Sequence, residues 1–463
     1  MYNMIIKDKA LRHDLDELIR VFIKPSDFVF LENRQDADKD AIIIVCPSEL
    51  ENKNTLKRYY YDQLSKLTGY KPPWGILTGV RPTKKCNEYL SAGLTGAEII
   101  KLLTEEFYVS EEKSRLVLET CFNQKKINLE NTKSLVGLYI GIPFCPTRCL
   151  YCSFASNQSD QKKISLYLST LFQEIEFVAL MLKNMGLYPE SIYLGGGTPT
   201  ALSESDFEML LQKIRCEFDF SQVREFTVEA GRPDTITLKK LDTIMRYSGN
   251  RISINPQSMN QKTLDKIGRS HTPEHIIEAF QMAQAVGIPI INADIIAGLP
   301  GESDLDFRHT VDQVLKLSPQ NITVHTLAMK RASKLKEANR NYNYENHASL
   351  NIMLKDSREG LKASGYAPYY LYRQKQTTGN FENVGYAVGE TQGIYNVRIM
   401  EEHQTIIALG AGGISKVYFP NENRHERVPN VSNLDHYIER IDEMIKRKSD
   451  LIAWPLIRAS NKE

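Results

Sequence analysis

Across residues 135–330 the hydrophobic positions follow two alternating rhythms. Apolar runs of strand length, LVGLYIGI, SIYLGGG, REFTVEA, NRISINPQ, PIINADIIAG and NITVHTLA, interleave with longer segments. In those segments, among them ISLYLSTLFQEIEFVALMLKNM, SESDFEMLLQKIRCEF, TPEHIIEAFQMAQAV and DLDFRHTVDQVLKL, apolar residues recur every third or fourth place. Strands alternating with amphipathic helices predict βαβ units and a parallel sheet. Six strands, not eight, predict an α/β partial (β/α)6 barrel with its chemistry gathered at the carboxyl ends of the strands.

The flanks read differently. Residues 1–130 mix short strands (YNMII, FVFL, AIIIV) with helical patterns such as NTLKRYYYDQLSKLTG, around a Pro/Gly-punctuated loop, KPPWGILTGVRPTKK. A helix over SEEKSRLVLETCFNQKK closes that region. Residues from 361 are tyrosine-rich, then strand-like, and end in a helix over SNLDHYIERIDEMIKRK. The expected domains are therefore an N-terminal accessory α/β domain (1–130), the barrel (131–360) and a C-terminal α+β domain (361–463).

Composition narrows the function classes. The chain has 463 residues, 42% hydrophobic and 25% charged, an ordinary globular balance. Its 58 Lys and Arg nearly cancel 57 Asp and Glu. No global field draws it to nucleic acid or an anionic membrane, so neither is expected as a partner. The N-terminus lacks a signal peptide's apolar core, and the longest apolar runs are too short and interrupted for a bilayer span of about 20 residues. A cytoplasmic protein without membrane insertion is expected.

Seven cysteines do not make a disulfide framework, yet three of them crowd into GIPFCPTRCLYCSF. Cys145, Cys149 and Cys152 have the spacing C-x3-C-x2-C directly after the first barrel strand. Thiolates suit zinc, copper(I) and iron–sulfur clusters. A structural zinc site closes with four ligands, and no second Cys pair is present. Cys46, Cys86, Cys121 and Cys216 are isolated, and Cys121 and Cys216 read as core filler. A cluster held by three cysteines keeps one iron open, as a catalytic metal does for its substrate. A zinc site completed by a distant ligand remains the alternative reading of the spacing.

With its flanks the segment resembles the radical S-adenosylmethionine (SAM) superfamily. LYIGIPFCPTRCLYCSF, YLGGGTPT, NPQSMN, GRSHT and ADIIAGLPGE together, in order, resemble the oxygen-independent coproporphyrinogen III oxidase family. PPWGILTGVRPTK and YYLYRQKQTTGNFENVGY extend the likeness to its coproporphyrinogen dehydrogenase branch, HemZ. The resemblance implies a [4Fe-4S] cluster on Cys145, Cys149 and Cys152. It implies SAM contacts at Tyr139, Tyr151, Gly196, Gly197, Thr198, Glu229, Gln257, Arg269, Asp294, Ala328 and Ile414. It also implies reductive cleavage of SAM to a 5′-deoxyadenosyl radical, and oxidative decarboxylation of coproporphyrinogen III to protoporphyrinogen IX in heme biosynthesis. A reductant such as a flavodoxin-like protein is implied as electron donor.

Residue chemistry supports several of these positions independently. The glycine triplet 195–197 ends a strand and permits close backbone approach. Glu229 and Asp294 place carboxylates in strands that otherwise run apolar. The chain also departs from its relatives. Gly141 stands where family members show His, and Phe154 where the oxidase branch has a further Cys. Glu382 and Ala387 replace the His and Trp of the heme-chaperone branch's H-N-x-x-Y-W motif. A heme chaperone on the same scaffold, or another radical SAM reaction on a tetrapyrrole, therefore stay open.

A tetrapyrrole with four propionates needs aromatic walls and cations. PYYLYRQKQ offers Tyr372, Arg373 and Lys375 as substrate contacts, with a half-buried strand as the alternative. Trp74, Arg81, Lys84 and Lys85 form a second candidate surface. His271 and His275 stand four apart at a helix start, where a cap or surface role outweighs a metal pair.

Overall fold

The computed structural model describes residues 1–6, 9–38, 40–45, 52–79, 81–128, 134–152, 157–158, 160–328, 347–374, 378–422 and 424–453. The three leading apolar runs form β1 (Tyr2–Ile5), β2 (Phe28–Leu31) and β3 (Ile42–Val45). They pair in parallel, in the order β2-β1-β3. Helices Lys9–Phe22 and Lys53–Thr68 cover this sheet, and Leu15, Leu18, Leu56 and Tyr60 build a core of its own beneath them. Helix Glu111–Asn128 behaves differently, since Leu116, Val117 and Cys121 join the larger core around the barrel.

The six central runs become β4 (Leu135–Ile142), β5 (Tyr188–Gly196), β6 (Glu225–Glu229), β7 (Arg251–Ser253), β8 (Ile290–Ala297) and β9 (Asn321–Thr326). All are parallel and neighbours in chain order, as βαβ units require. The C-terminal strands extend both edges of this sheet. β10 (Ala367–Arg373) and β11 (Glu382–Ala387) add antiparallel beyond β9. β12 (Ile406–Leu409) pairs parallel with β4 and leads into β13 (Ile414–Phe419) and β14 (Arg424–Pro429). The result is an eleven-stranded sheet.

Period-two alternation sorts the barrel strands. Leu138, Ile140, Ile192, Leu194, Phe226 and Val228 turn outward into the helical layer and are fully buried. The intervening positions, among them Tyr139, Tyr193, Glu225, Glu229, Arg251 and Asp294, turn inward, so the lumen is polar and aromatic. Helix Ile394–Glu401 plugs the amino end of the barrel. Its Ile394 and Tyr395 amides donate to Glu225 at 2.7 and 3.3 Å, satisfying the orphan donors of a helix start with a carboxylate. Arg251 lies 3.4 Å from Glu225 and donates to the Thr391 carbonyl at 2.8 Å.

Helix Gln161–Met185 is long and apolar enough by composition to cross a membrane. Here Tyr167, Leu171, Ile175 and Val178 pack into the core, and its Glu174 is fully buried. Glu174 accepts from Lys448 (2.5 Å), the Tyr437 hydroxyl (2.6 Å) and the Gly410 amide (2.7 Å). The expected single C-terminal helix is two, Leu434–Glu439 and Ile441–Lys448, broken at Arg440. The break lets Tyr437 and Lys448 reach Glu174 from different turns.

Candidate functional site

The cysteine loop leaves the carboxyl end of β4 and is tied down on three sides. The Asn157 amide donates to the Pro143 carbonyl at 2.8 Å, and the Leu150 amide to the Ile267 carbonyl at 3.0 Å. The Thr198 amide donates to the Phe144 carbonyl at 2.7 Å, and the Thr198 hydroxyl lies 3.4 Å from the Cys145 sulfur. Glycine is required at this crossing. A Cβ on Gly197 would stand 2.4 Å from the Phe144 oxygen, and Gly196 has φ +112°. The Cys152 amide bonds the Cys149 carbonyl at 3.1 Å, closing a tight turn between the two cysteines. Burial pushes the Cys145 thiol up, and the neighbouring Cys152 and Cys149 add to this, against the Thr198 bond and the charge of Arg232. All three are free thiols.

Around the same mouth, Arg269 donates to the Gly231 carbonyl at 2.6 Å and to the Tyr151 hydroxyl at 2.9 Å. Burial holds the Tyr151 phenol well above its usual range. Gln257 sits just beyond β7 with φ +66°, an uncommon conformation for a residue with a side chain. It is fixed there by amide bonds of 2.9 and 3.0 Å to the Asp294 carbonyl and from the Ile296 amide. Its Oε1 and the Nε of Arg269 are buried without a hydrogen-bond partner. Ala328 is half-buried just past β9, and Ile414, at the turn after β12, is 49% exposed at the same end of the sheet.

Glu229 ends β6 and accepts from the Tyr193 hydroxyl. Burial pushes its carboxyl up to about 7; the Tyr193 bond opposes this and the Asp294 charge adds to it. Tyr193 stacks on Tyr395 at 4.5 Å between centroids, with Tyr139 alongside at 6.2 Å, so the floor of the mouth is three phenol rings. Burial would also raise Asp294, but the hydrogen bond and charge of His325, 3.6 Å away, outweigh it and hold the carboxyl low. The other imidazole nitrogen lies 3.5 Å from the Tyr372 hydroxyl. Tyr372 thus belongs to the mouth.

Arg373 does not present its guanidinium to an open surface. It is 3% exposed, stacks 5.0 Å over Trp74, and donates to the Asn380 (3.0 Å) and Leu77 carbonyls. The substrate expectation for Arg373 is corrected accordingly, because alternation along β10 turns it away from Tyr372. Lys375, Phe154 and Cys46 lie outside the described residues. Trp74 also lies inside this seam, donating to Glu382 at 2.8 Å, while Lys113 pairs with Glu382 at 2.5 Å. Arg81 pairs with Glu402, and Lys85 bonds Glu88 at 3.0 Å. His275 caps its helix through Thr272 at 3.2 Å, and His271 is fully buried. The sequence reading passed over Tyr193, His325, Tyr395 and Arg232. Tyr193 and His325 occupy inward places of β5 and β9, a signal that alternation carries; Tyr395 and Arg232 reach the site through tertiary contacts that leave no local pattern.

The model of the Radical SAM superfamily matches residues 139–314, from the inward tyrosine of β4 through the helix after β8. Fold and cysteine loop together define a radical SAM protein. The chain is 39% identical over 401 residues to the oxygen-independent coproporphyrinogen-III oxidase-like protein HemZ of Bacillus subtilis, covering 86% of this chain and 80% of that one. It belongs to that HemZ-like family. It is also 33% identical over 190 residues to the heme chaperone HemW of Bacillus subtilis, covering 41% of this chain and 49% of that one. Among solved structures, coproporphyrinogen III oxidase HemN of Escherichia coli shares the fold, with a TM-score of 0.55 at 22% identity over 70% of this chain and 73% of that one.

The cofactors are a [4Fe-4S] cluster and SAM. The residues present fit both: three free thiols on one anchored loop, a glycine turn closed to any Cβ, and a buried acceptor and donor awaiting partners. Among the described residues no three His, Cys, Asp or Glu side chains, the cysteine trio included, gather on a single ion.

Proposed function

We propose that this chain is a radical SAM enzyme catalysing oxygen-independent oxidative decarboxylation of coproporphyrinogen III to protoporphyrinogen IX. The observation that carries the reading is the convergence, at one end of one barrel, of the anchored cysteine trio with the unpartnered Oε1 of Gln257 and Nε of Arg269 and a mouth floored by phenols. Cys145, Cys149 and Cys152 hold the cluster. Gly196, Gly197 and Thr198 meet the amino-acid end of SAM, and Tyr139, Tyr151, Glu229, Gln257, Arg269, Asp294, Ala328 and Ile414 surround the remainder. When bound, these groups supply a 5′-deoxyadenosyl radical able to take hydrogen from a propionate side chain; the protein supplies placement and exclusion of water.

Residues 131–360 carry most of the chemistry, flanked by 1–130 and 361–463, the latter contributing Tyr372, Tyr395 and Ile414. Tyr372, with His325 behind it, offers a hydroxyl to a substrate carboxylate. The three stacked phenols keep bulk water from the lumen below. A flavodoxin-like protein serves as electron donor.

Anaerobic incubation with SAM, a reductant and coproporphyrinogen III, read by mass spectrometry, tests the proposal. Two successive losses of formic-acid mass are expected, with 5′-deoxyadenosine formed alongside. An unchanged tetrapyrrole together with a stoichiometric Soret band on adding heme would replace this reading with that of a heme-handling protein.

A further inference from the structure

We infer that Arg232 is a positioning residue for the iron–sulfur cluster: a buried guanidinium that donates to the sulfur of Cys149 and, balanced by Asp234, sets how readily the cluster accepts an electron. This rests on the reading of the cysteine trio as the cluster's holders. Arg232 follows β6 and is 3% exposed. A cation so far from water needs compensating partners.

Its partners are split between two sides. One terminal nitrogen donates to the Thr147 hydroxyl at 2.7 Å, to the Thr147 carbonyl at 3.4 Å and to the Cys149 sulfur at 3.9 Å. The other donates to the Ser270 hydroxyl at 2.6 Å and to Asp234 at 3.3 Å, and Nε meets Asp234 at 3.2 Å. Thr147 lies between Cys145 and Cys149, so the same fork pins the loop and points a full charge at its sulfur. A planar fork serves both sides at once, which an ammonium does not.

The electrostatic consequence has a sign. A positive charge and an N–H donor at a ligand sulfur favour the electron-rich state of a cluster, so removing them makes reduction harder. Asp234 offsets part of that charge, so neutralising Asp234 makes reduction easier. A merely structural role predicts no such reversal, because both changes would loosen the same loop.

The test uses the full chain, reconstituted anaerobically with iron and sulfide, assayed for metal content and then titrated reductively by EPR without SAM. Arg232→Gln is expected to keep its cluster and to be about tenfold harder to reduce, about 59 mV for a one-electron couple. Arg232→Lys should fall between it and wild type, and Asp234→Asn should move in the opposite direction. Wild-type potential in a fully loaded Arg232→Gln protein, or shifts of one sign in both variants, would overturn the inference alone. Should Arg232→Gln fail to assemble a cluster, Asp234→Asn decides: a raised potential supports the inference, and an unchanged or lowered one overturns it. A wild-type chain that takes up no cluster would overturn the functional reading itself.

Discussion

The two ends of the barrel lumen are built from the same alternating strand positions and solve opposite problems. At the amino end charges answer one another. Arg251 faces Glu225 at 3.4 Å, Arg398 meets Glu190 at 3.0 Å through two nitrogens, and Gln404 adds a third bond to Glu190 at 2.7 Å. A helix start completes the closure. At the carboxyl end the groups are aimed but incomplete: Gln257 and Arg269 keep unpartnered buried atoms, and Glu229 holds its proton up to about pH 7. Polar burial by itself therefore does not mark a site. An unanswered atom alone does not mark it either, since Arg251 Nε and Gln404 Oε1 at the amino end are also buried without a hydrogen-bond partner; what sets the carboxyl end apart is that Gln257, Arg269 and the raised Glu229 gather beside the cysteine loop.

The largest expected contrast is in cofactor retention. Cys149→Ala should abolish both cluster content and 5′-deoxyadenosine formation, whereas Cys216→Ala, at a residue that lies exposed on its helix and not in the core as its pattern predicted, should leave both near wild type; equal losses would break the assignment of the mouth. At the closed end, Glu225→Ala leaves Arg251 and two helix-start amides without their carboxylate. It should cost about 3–5 kcal/mol in denaturant unfolding.

Glu229 sharpens the comparison through pH. Its folded pKa lies above the ordinary carboxylate value, so the native state binds more protons than the unfolded chain between about pH 4.5 and 7. Stability of the cofactor-free protein should fall across that window by at most about 3 kcal/mol, and Glu229→Gln should flatten the slope. A profile rising with pH would show that Glu229 is answered after all. The smallest effect is expected from Tyr395→Leu, which removes the central contact of the phenol stack and should cost about 0.5–1.5 kcal/mol beyond lost area, measured by thermal unfolding.

The barrel was legible in the sequence because its strands are apolar on the outward face and short, and its helices keep one period. β7 was drawn too long, since NRISINPQ continues apolar while the backbone leaves the strand after Ser253 to turn Gln257 into the mouth. The plug helix Ile394–Glu401 escaped notice because it is short and stands on Glu225, a partner 169 residues away. The cysteine trio was readable because its three members sit within one loop. Arg232 was not, because its meaning lies in a sulfur 83 residues earlier. Arg373 misled for a related reason: a basic residue among tyrosines looks like a surface, and only the neighbouring Trp74 loop shows it to be interior.

Glu174 ties together parts of the chain that lie far apart in sequence. Its carboxylate lies in an apolar helix face and meets the ammonium of Lys448 only 274 residues later. The same carboxylate grips the amide of Gly410, which a missing Cβ allows to nestle against Gly141, four residues before the first cysteine of the loop. Removing the Lys448 ammonium would leave that acid buried without its counter-charge, so the C-terminal helix and the Gly410 turn against β4 should loosen together.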